Sequence, residues 1–183
     1  MRKRSFALII CLISLLAWSC THTGGSGDQK DAENRIIQQE DGSVSLKLDK
    51  AACYSDKVNP SNNTADWNIV ISKPGRFKVW LASATKDTTG MSYKNSVRIS
   101  LLDDNLLADP KCDKIEHNSN DVAYPYFKTE SYMGSVYISE PGEYNIQVIS
   151  DKVNANNGTV TKTSMTDDTR MLSVMLRPVQ KKL

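Results

Sequence analysis

The sequence predicts an all-β fold, a sandwich or barrel of about eight to ten strands, on three observations. Large side chains alternate with small or polar ones from Trp67 to Ser83: Trp67, Ile69, Ile71, then Phe77, Val79 and Leu81 share one phase, while Asn68, Ser72, Lys78 and Ala82 interleave. That is the period of half-buried strands. Pro74-Gly75 divides this stretch, and the unit recurs, Ile138-Ser139-Glu140-Pro141-Gly142-Glu143-Tyr144-Asn145-Ile146 repeating the pattern of Ile71 to Val79. No segment carries the apolar period of a helix. Each Pro-Gly unit is expected to close a hairpin, through a type II turn whose glycine adds a bulge and sets Ile71 opposite Phe77.

The chain opens with Met1-Arg2-Lys3-Arg4 and an apolar run from Phe6 to Ala17, the basic end and short apolar core of a secretory signal. The run falls short of the roughly 20 residues of a membrane-spanning helix. Leu16-Ala17-Trp18-Ser19-Cys20 resembles the lipobox of bacterial lipoproteins, in the loosened form of leaders from the Bacteroides group. The resemblance implies removal of residues 1–19 and lipidation of Cys20, which holds the protein to a membrane of the cell envelope, expected to be the outer membrane; an ordinary cleavable signal is the alternative. Several acyl chains at about 0.8 kcal/mol per buried methylene make such an anchor stable. Residues 20–33, with Gly24-Gly25-Ser26-Gly27, form a flexible tether, and 34–183 the folded domain.

Loss of Arg2, Lys3 and Arg4 with the leader takes the 23 basic residues to 20, against 21 acidic ones. Without a basic surplus, the mature chain lacks the electrostatic footprint of a nucleic-acid binder.

Within the domain, Ile36–Gln39 and Val44–Leu48 flank Asp41-Gly42, a strong hairpin signal. Ala51 to Ser55 continues as a strand, and Asn59 to Thr64 is a loop of turn formers. Asn95 to Leu102 and the return through Leu106 and Leu107 make another hairpin. A polar stretch, His117 to Pro125, precedes the strand Tyr126–Ile138; Asn154 to Gly158 is a loop, and the last strand, Met171–Leu176, ends before Pro178.

The order Ala65 to Ile71, Pro74 to Val79, Gly134 to Ile138, Pro141 to Ile146 and Leu172 to Pro178 resembles carbohydrate-binding-module-type jelly rolls. These are the galactose-binding-like sandwiches found beside bacterial glycoside hydrolases, including those of α-L-fucosidases. The resemblance implies a jelly-roll β-sandwich and, because every matched position is a core or turn residue, transfers no binding residue.

Cys53 and Cys112 are the thiols left in the domain; an exported pair forms a disulfide, or stands as two separate reduced cysteines. With His117 they offer no recognised metal-ligand spacing, so no metal and no cofactor is expected. Neither a nucleophile with an oriented base nor two carboxylates in one cleft is evident, and the protein is expected not to be an enzyme. Glycan binding needs aromatic faces beside hydrogen-bonding groups, and two places supply them: the loop and strand entry with Asn120, Asp121, Tyr124, Tyr126, Phe127 and Tyr132, and the outward phase of the sheet, with Trp80 and Arg98. The expected partner is a glycan; the alternative is another envelope protein, the chain then being a structural accessory lipoprotein. Asp87-Thr88-Thr89 resembles the acidic-threonine motif at which Bacteroides-group bacteria attach O-glycans.

Cys20→Ala is expected to abolish metabolic labelling with a fatty-acid probe and to release the protein from the membrane fraction; unchanged labelling would refute the lipid anchor.

Overall fold

The computed structural model describes residues 35–153 and 168–180; the leader, Cys20, the tether and the loop from Asn154 to Gly158 lie outside them. Among the described residues, the alternating segments form eleven strands: β1 (Arg35–Ile37), β2 (Val44–Lys47), β3 (Ala52–Tyr54), β4 (Thr64–Ile71), β5 (Gly75–Thr85), β6 (Val97–Leu101), β7 (Asp104–Ala108), β8 (Lys114–Glu116), β9 (Phe127–Ile138), β10 (Gly142–Ile149) and β11 (Thr169–Pro178). The count exceeds the expected range by one, β8, an edge strand of three residues, too short to show an alternation. One sheet runs β1-β4-β10-β6-β7, with β3 also on β4, and the other β2-β11-β5-β9-β8. The only helical pieces described are single 3₁₀ turns at Leu48–Lys50 and Pro60–Asn62. This is a β-sandwich, as the alternation predicts.

The pairing corrects the expected hairpins. β4 and β5 lie in different sheets, and so do β9 and β10. Each Pro-Gly unit is a corner between sheets, and the two corners stack: Ile71 pairs with Gly142 on one sheet, and Gly75 with Ile138 on the other. The chain is a two-stranded antiparallel ribbon, β4–β5 beside β9–β10, bent once over itself. Proline has no N–H to continue a ladder, and by changing sheets both amphipathic strands of a unit turn their apolar faces into one interior. The Asp41-Gly42 turn also forms, Gly42 N–H donating to the Gln39 carbonyl at 2.9 Å. Its flanks part as well, β1 running parallel to β4 and β2 antiparallel to β11. Of the expected hairpins, only that of β6 and β7 forms, with Ile99 opposite Leu106.

Gln38 closes the first corner. Its side-chain oxygen accepts from the Ser72 and Lys73 backbone N–H groups at 3.0 and 2.7 Å, and its amide nitrogen donates to the Gly42 and Lys73 carbonyls at 2.8 and 3.1 Å. Backbone groups stranded by the bend thus find partners. Trp67, on β4, is fully buried and donates its indole N–H to the Lys47 carbonyl of the facing sheet at 2.9 Å. At the far end the second sheet turns hydroxyls inward, at Ser83, Thr85, Thr129 and Thr169. The loop after β5 covers them, Tyr93 bonding to Ser83 at 2.8 Å; burial pushes the Tyr93 hydroxyl above the usual tyrosine value.

Cys53 and Cys112 are both free, which corrects the disulfide reading. Cys53 sits in β3, on the first sheet, and Cys112 in the connection leading into β8, on the second. Burial pushes both thiols up, which keeps them in the less reactive protonated form.

A bulge in β9 sets the outer face. Val79 pairs with Gly134 but Trp80 with Tyr132, leaving Met133 unpaired and keeping it in the core, 4% exposed. Gly134 has φ +127°, and a Cβ there would come within 3.0 Å of Leu106 Cδ2. Gly134→Ala should destabilise the fold by roughly 1–3 kcal/mol, from the backbone strain plus the contact. Leu106→Ala in that background should recover the contact part alone, seen as a coupling energy in a double-mutant cycle by denaturant melts.

Candidate functional site

The structure separates the residues that the sequence groups together. The connection between β8 and β9 lies across the outer face of the second sheet, where Asn120 and Asp121, with Val122 and Ala123, line a groove of about 410 Å³ beside Ala84 and Arg170. Asp121 is bound to Lys128 at 2.5 Å, and that bond holds its carboxyl below the usual aspartate value. Tyr126 is buried, 3% exposed, with the Lys86 ammonium 5.3 Å from its ring centroid; it is a packing residue of the loop and not a surface for a ligand. Tyr124 is 93% exposed and lines neither this groove nor the one at Trp80. His117 is exposed, its ring edge-on to Phe127 at 5.3 Å. Arg98 points outward from β6, on the first sheet, so it shares no face with Trp80. Asp87-Thr88-Thr89 lies in the loop after β5, with Thr89 exposed and its hydroxyl donating to Asp87 at 2.6 Å.

Trp80 and Tyr132 do meet. They are partners across the β5–β9 ladder, on the outer face of the second sheet, with ring centroids 5.3 Å apart at 54°, a tilted aromatic pair. Tyr132 is 44% exposed. With Lys78, Ala108, Asp109, Lys111 and Asp113, the two rings line an open groove of about 610 Å³.

The polar groups around the rings are held in place by neighbouring strands. Strand β8 pairs with Lys128 to Glu130 of β9 and ends there; just before it, the Asp113 carboxylate accepts the Tyr132 backbone N–H at 2.7 Å. The Lys111 carbonyl accepts the Ser131 hydroxyl and the Asp113 N–H. From β11, Arg177 grips Glu130 with both guanidinium nitrogens, one of them at 2.8 Å, a bidentate pair. Lys114 reaches Glu130 at 3.5 Å and lies over the Trp80 ring, 4.1 Å from its centroid, and the Arg177 guanidinium is 5.6 Å from the same centroid. The indole therefore carries a cation–π partner in the free protein. Lys114 is half exposed on a flexible stem and can leave that position.

Of these neighbours, Lys78, Lys114, Glu130 and Arg177 stand on the same outer face as Trp80. Their signal in the sequence was phase: Lys78, Glu130 and Arg177 alternate with the core residues Val79, Ser131 and Leu176. Without the strand pairing, phase alone could not bring them together.

No protein-family model matches the chain, and no curated protein does. Among solved structures, the α-L-fucosidase of Vibrio sp. strain EJY3 superimposes with a TM-score of 0.62 at 22% identity, over 79% of this chain and 24% of the fucosidase. The insecticidal crystal protein Cry2Aa follows at 0.47 and 14%, over 78% of this chain and 22% of its own. The Podospora anserina GH26-CBM35 β-(1,4)-mannanase gives 0.44 and 10%, over 79% and 29%. The likeness to the fucosidase is one of fold, of a β-sandwich that makes up about a quarter of that enzyme's length.

The Arg177 bond outweighs burial and holds Glu130 below the ordinary glutamate value of 4.5. A carboxyl with a lowered folded pKa binds fewer protons in the folded than in the unfolded chain, so its stabilisation is complete above the unfolded value and is lost as pH falls through the folded one. Glu130→Gln should cost about 1–3 kcal/mol at pH 7. The gap to wild type should close as melts are repeated below about pH 4; a gap constant with pH would show that the carboxylate charge contributes nothing.

Proposed function

We propose that this protein is a non-catalytic glycan-binding β-sandwich, held at the bacterial envelope by a lipid on Cys20 and raised from the membrane by the tether of residues 20–33. The observation that carries the glycan reading is the outward ring pair of Trp80 and Tyr132 in a groove edged by fixed polar groups. Rings supply apolar faces for the C–H side of a sugar, and Lys78, Asp109, Lys111 and Asp113 supply donors and acceptors for its hydroxyls. An open groove on a sheet face, rather than an enclosed cleft, suits a segment of a chain more than a single small molecule. The shared fold with part of an α-L-fucosidase is compatible with this reading. Among the described residues, no three His, Cys, Asp or Glu side chains gather to hold a metal ion.

One observation favours the protein-contact alternative: Tyr124, at 93% exposure, presents nearly a whole ring to solvent outside both grooves.

A glycan array probed with the full-length chain in non-ionic detergent tests the proposal. A retained glycan should bind at least about tenfold more weakly to Tyr132→Ala, equivalent to about 1.4 kcal/mol, with the melting temperature little changed. It should also shift tryptophan emission in the wild type but not in Trp80→Phe, since the other tryptophan of the sandwich, Trp67, is fully buried. Normal binding by Tyr132→Ala would move the site off this face, and an array without a specific hit would leave the protein-contact reading in its place.

A further inference from the structure

The outer face around Trp80 carries more positive charge than its stability calls for. On that face Lys78 stands directly opposite Arg177 across the β5–β11 ladder, and like charges so placed repel and destabilise a sheet. Arg76, two residues before Lys78, is exposed on the same side, its guanidinium 5.9 Å from the Tyr137 ring centroid. Lys111 and Lys114 approach from the edge. Of the carboxylates nearby, Glu130 is taken by Arg177 and Lys114, whereas Asp113 and Asp109 accept from neutral donors, the Tyr132 N–H and the Ser96 hydroxyl at 2.6 Å, and keep their charge. The five cations Arg76, Lys78, Lys111, Lys114 and Arg177 thus face three carboxylates, and two positive charges are left over.

Lys78 and Lys111 are different. Both line the groove and both are exposed, and among the described residues neither ammonium has an ion-pair or hydrogen-bond partner. The backbone of Lys111 is nevertheless fixed, its carbonyl taking both Ser131 and Asp113, so the lysine is anchored with its charge uncommitted. Lys114, over the Trp80 ring, would have to move for a sugar to reach the indole, and an anion arriving with that sugar gives its ammonium a new partner.

Resting on the glycan reading above, we infer that the groove takes an anionic saccharide, one bearing uronate carboxylates or sulfate esters that lodge against Lys78 and Lys111 while the sugar ring meets Tyr132 and Trp80. The anion relieves the Lys78–Arg177 repulsion on binding, which makes the arrangement a site for charge rather than a solvated face.

Four polymers test this with the full-length chain in detergent at about 0.15 M salt, where long-range surface attraction is largely screened. They are polygalacturonate, its fully methyl-esterified form, dextran sulfate and dextran. Binding of polygalacturonate or of dextran sulfate should be at least about tenfold tighter than of its uncharged counterpart, and which of the two binds separates carboxylate from sulfate. Lys78→Gln/Lys111→Gln should lose about tenfold toward the charged polymer, whereas Lys50→Gln/Lys57→Gln, which removes two exposed charges outside the groove, should stay within about twofold. Three results overturn the inference: equal binding of charged and uncharged forms, an equal loss in the control pair, or no binding of either charged polymer. In each case a neutral glycan retained by the array would leave the glycan-binding reading standing, and only failure of both experiments removes both.

Discussion

Two prolines at one level of the sandwich impose the bend on which everything else rests. Pro74 and Pro141 each interrupt a long amphipathic run at a point where the ladder must stop for want of an N–H. Because β4 pairs with β10 and β5 with β9, the two interruptions lie side by side and the ribbon bends at both together. A single corner would leave its partner strand running straight into solvent. The residues of the first bend, Ser72 and Lys73, lose their ladder partners and recover them from Gln38, which is 7% exposed. In the second bend the Tyr144 hydroxyl donates to the Glu140 carbonyl at 2.7 Å. The corners are alike in sequence but are satisfied by different side chains.

The bend also decides which residues share the outer face. By sending β5 to the second sheet, it places Trp80 between β11 and β9, where Met175 and Tyr132 are its neighbours. The bulge at Met133 then brings Tyr132, rather than its core-facing neighbour, opposite Trp80. A one-residue slip here would exchange the two faces of β9, sending Tyr132 inward and Met133 to solvent. Gly134, whose backbone conformation a side chain would strain and whose missing Cβ leaves room for Leu106, keeps the bulge in place. The fold and the candidate site therefore meet at one glycine.

Much of this architecture was legible in the sequence, and its failures have a common cause. Alternation located the main strands, both Pro-Gly units marked equivalent bends, and Trp67 was correctly assigned to the core. Pairing was misread because alternation states which face of a strand is apolar, not which strand lies beside it. A turn former between two amphipathic strands closes a hairpin or starts a corner with the same residues. Of the expected hairpins, only that of Asn95 to Leu102 with the return through Leu106 and Leu107 formed, turning at Leu102-Asp103 between β6 and β7. The loop residues failed differently. Tyr124 and Tyr126 are two positions apart and chemically alike, yet one is almost wholly exposed and the other buried, because the loop folds back on the sheet and a non-periodic segment carries no phase from which to tell them apart.

The outer face shows the complementary case, in which phase was visible and its meaning depended on the pairing. Lys78, Glu130 and Arg177 are each unremarkable as outward residues on a strand, where charged groups usually meet water. Once β5 is flanked by β9 and β11, they form one patch in which a single carboxylate, Glu130, holds Arg177 and Lys114 beside the indole. Glu130 is 16% exposed at its side chain, so its bonds to the two cations are little screened compared with those of a pair in open water. It fixes the Arg177 fork in position, and the ladder sets Lys78 opposite that arginine. The uncommitted charge of the groove is thus a consequence of sheet register. Glu130 answers Arg177 and Lys114, and Lys78 and Lys111 are left facing the solvent.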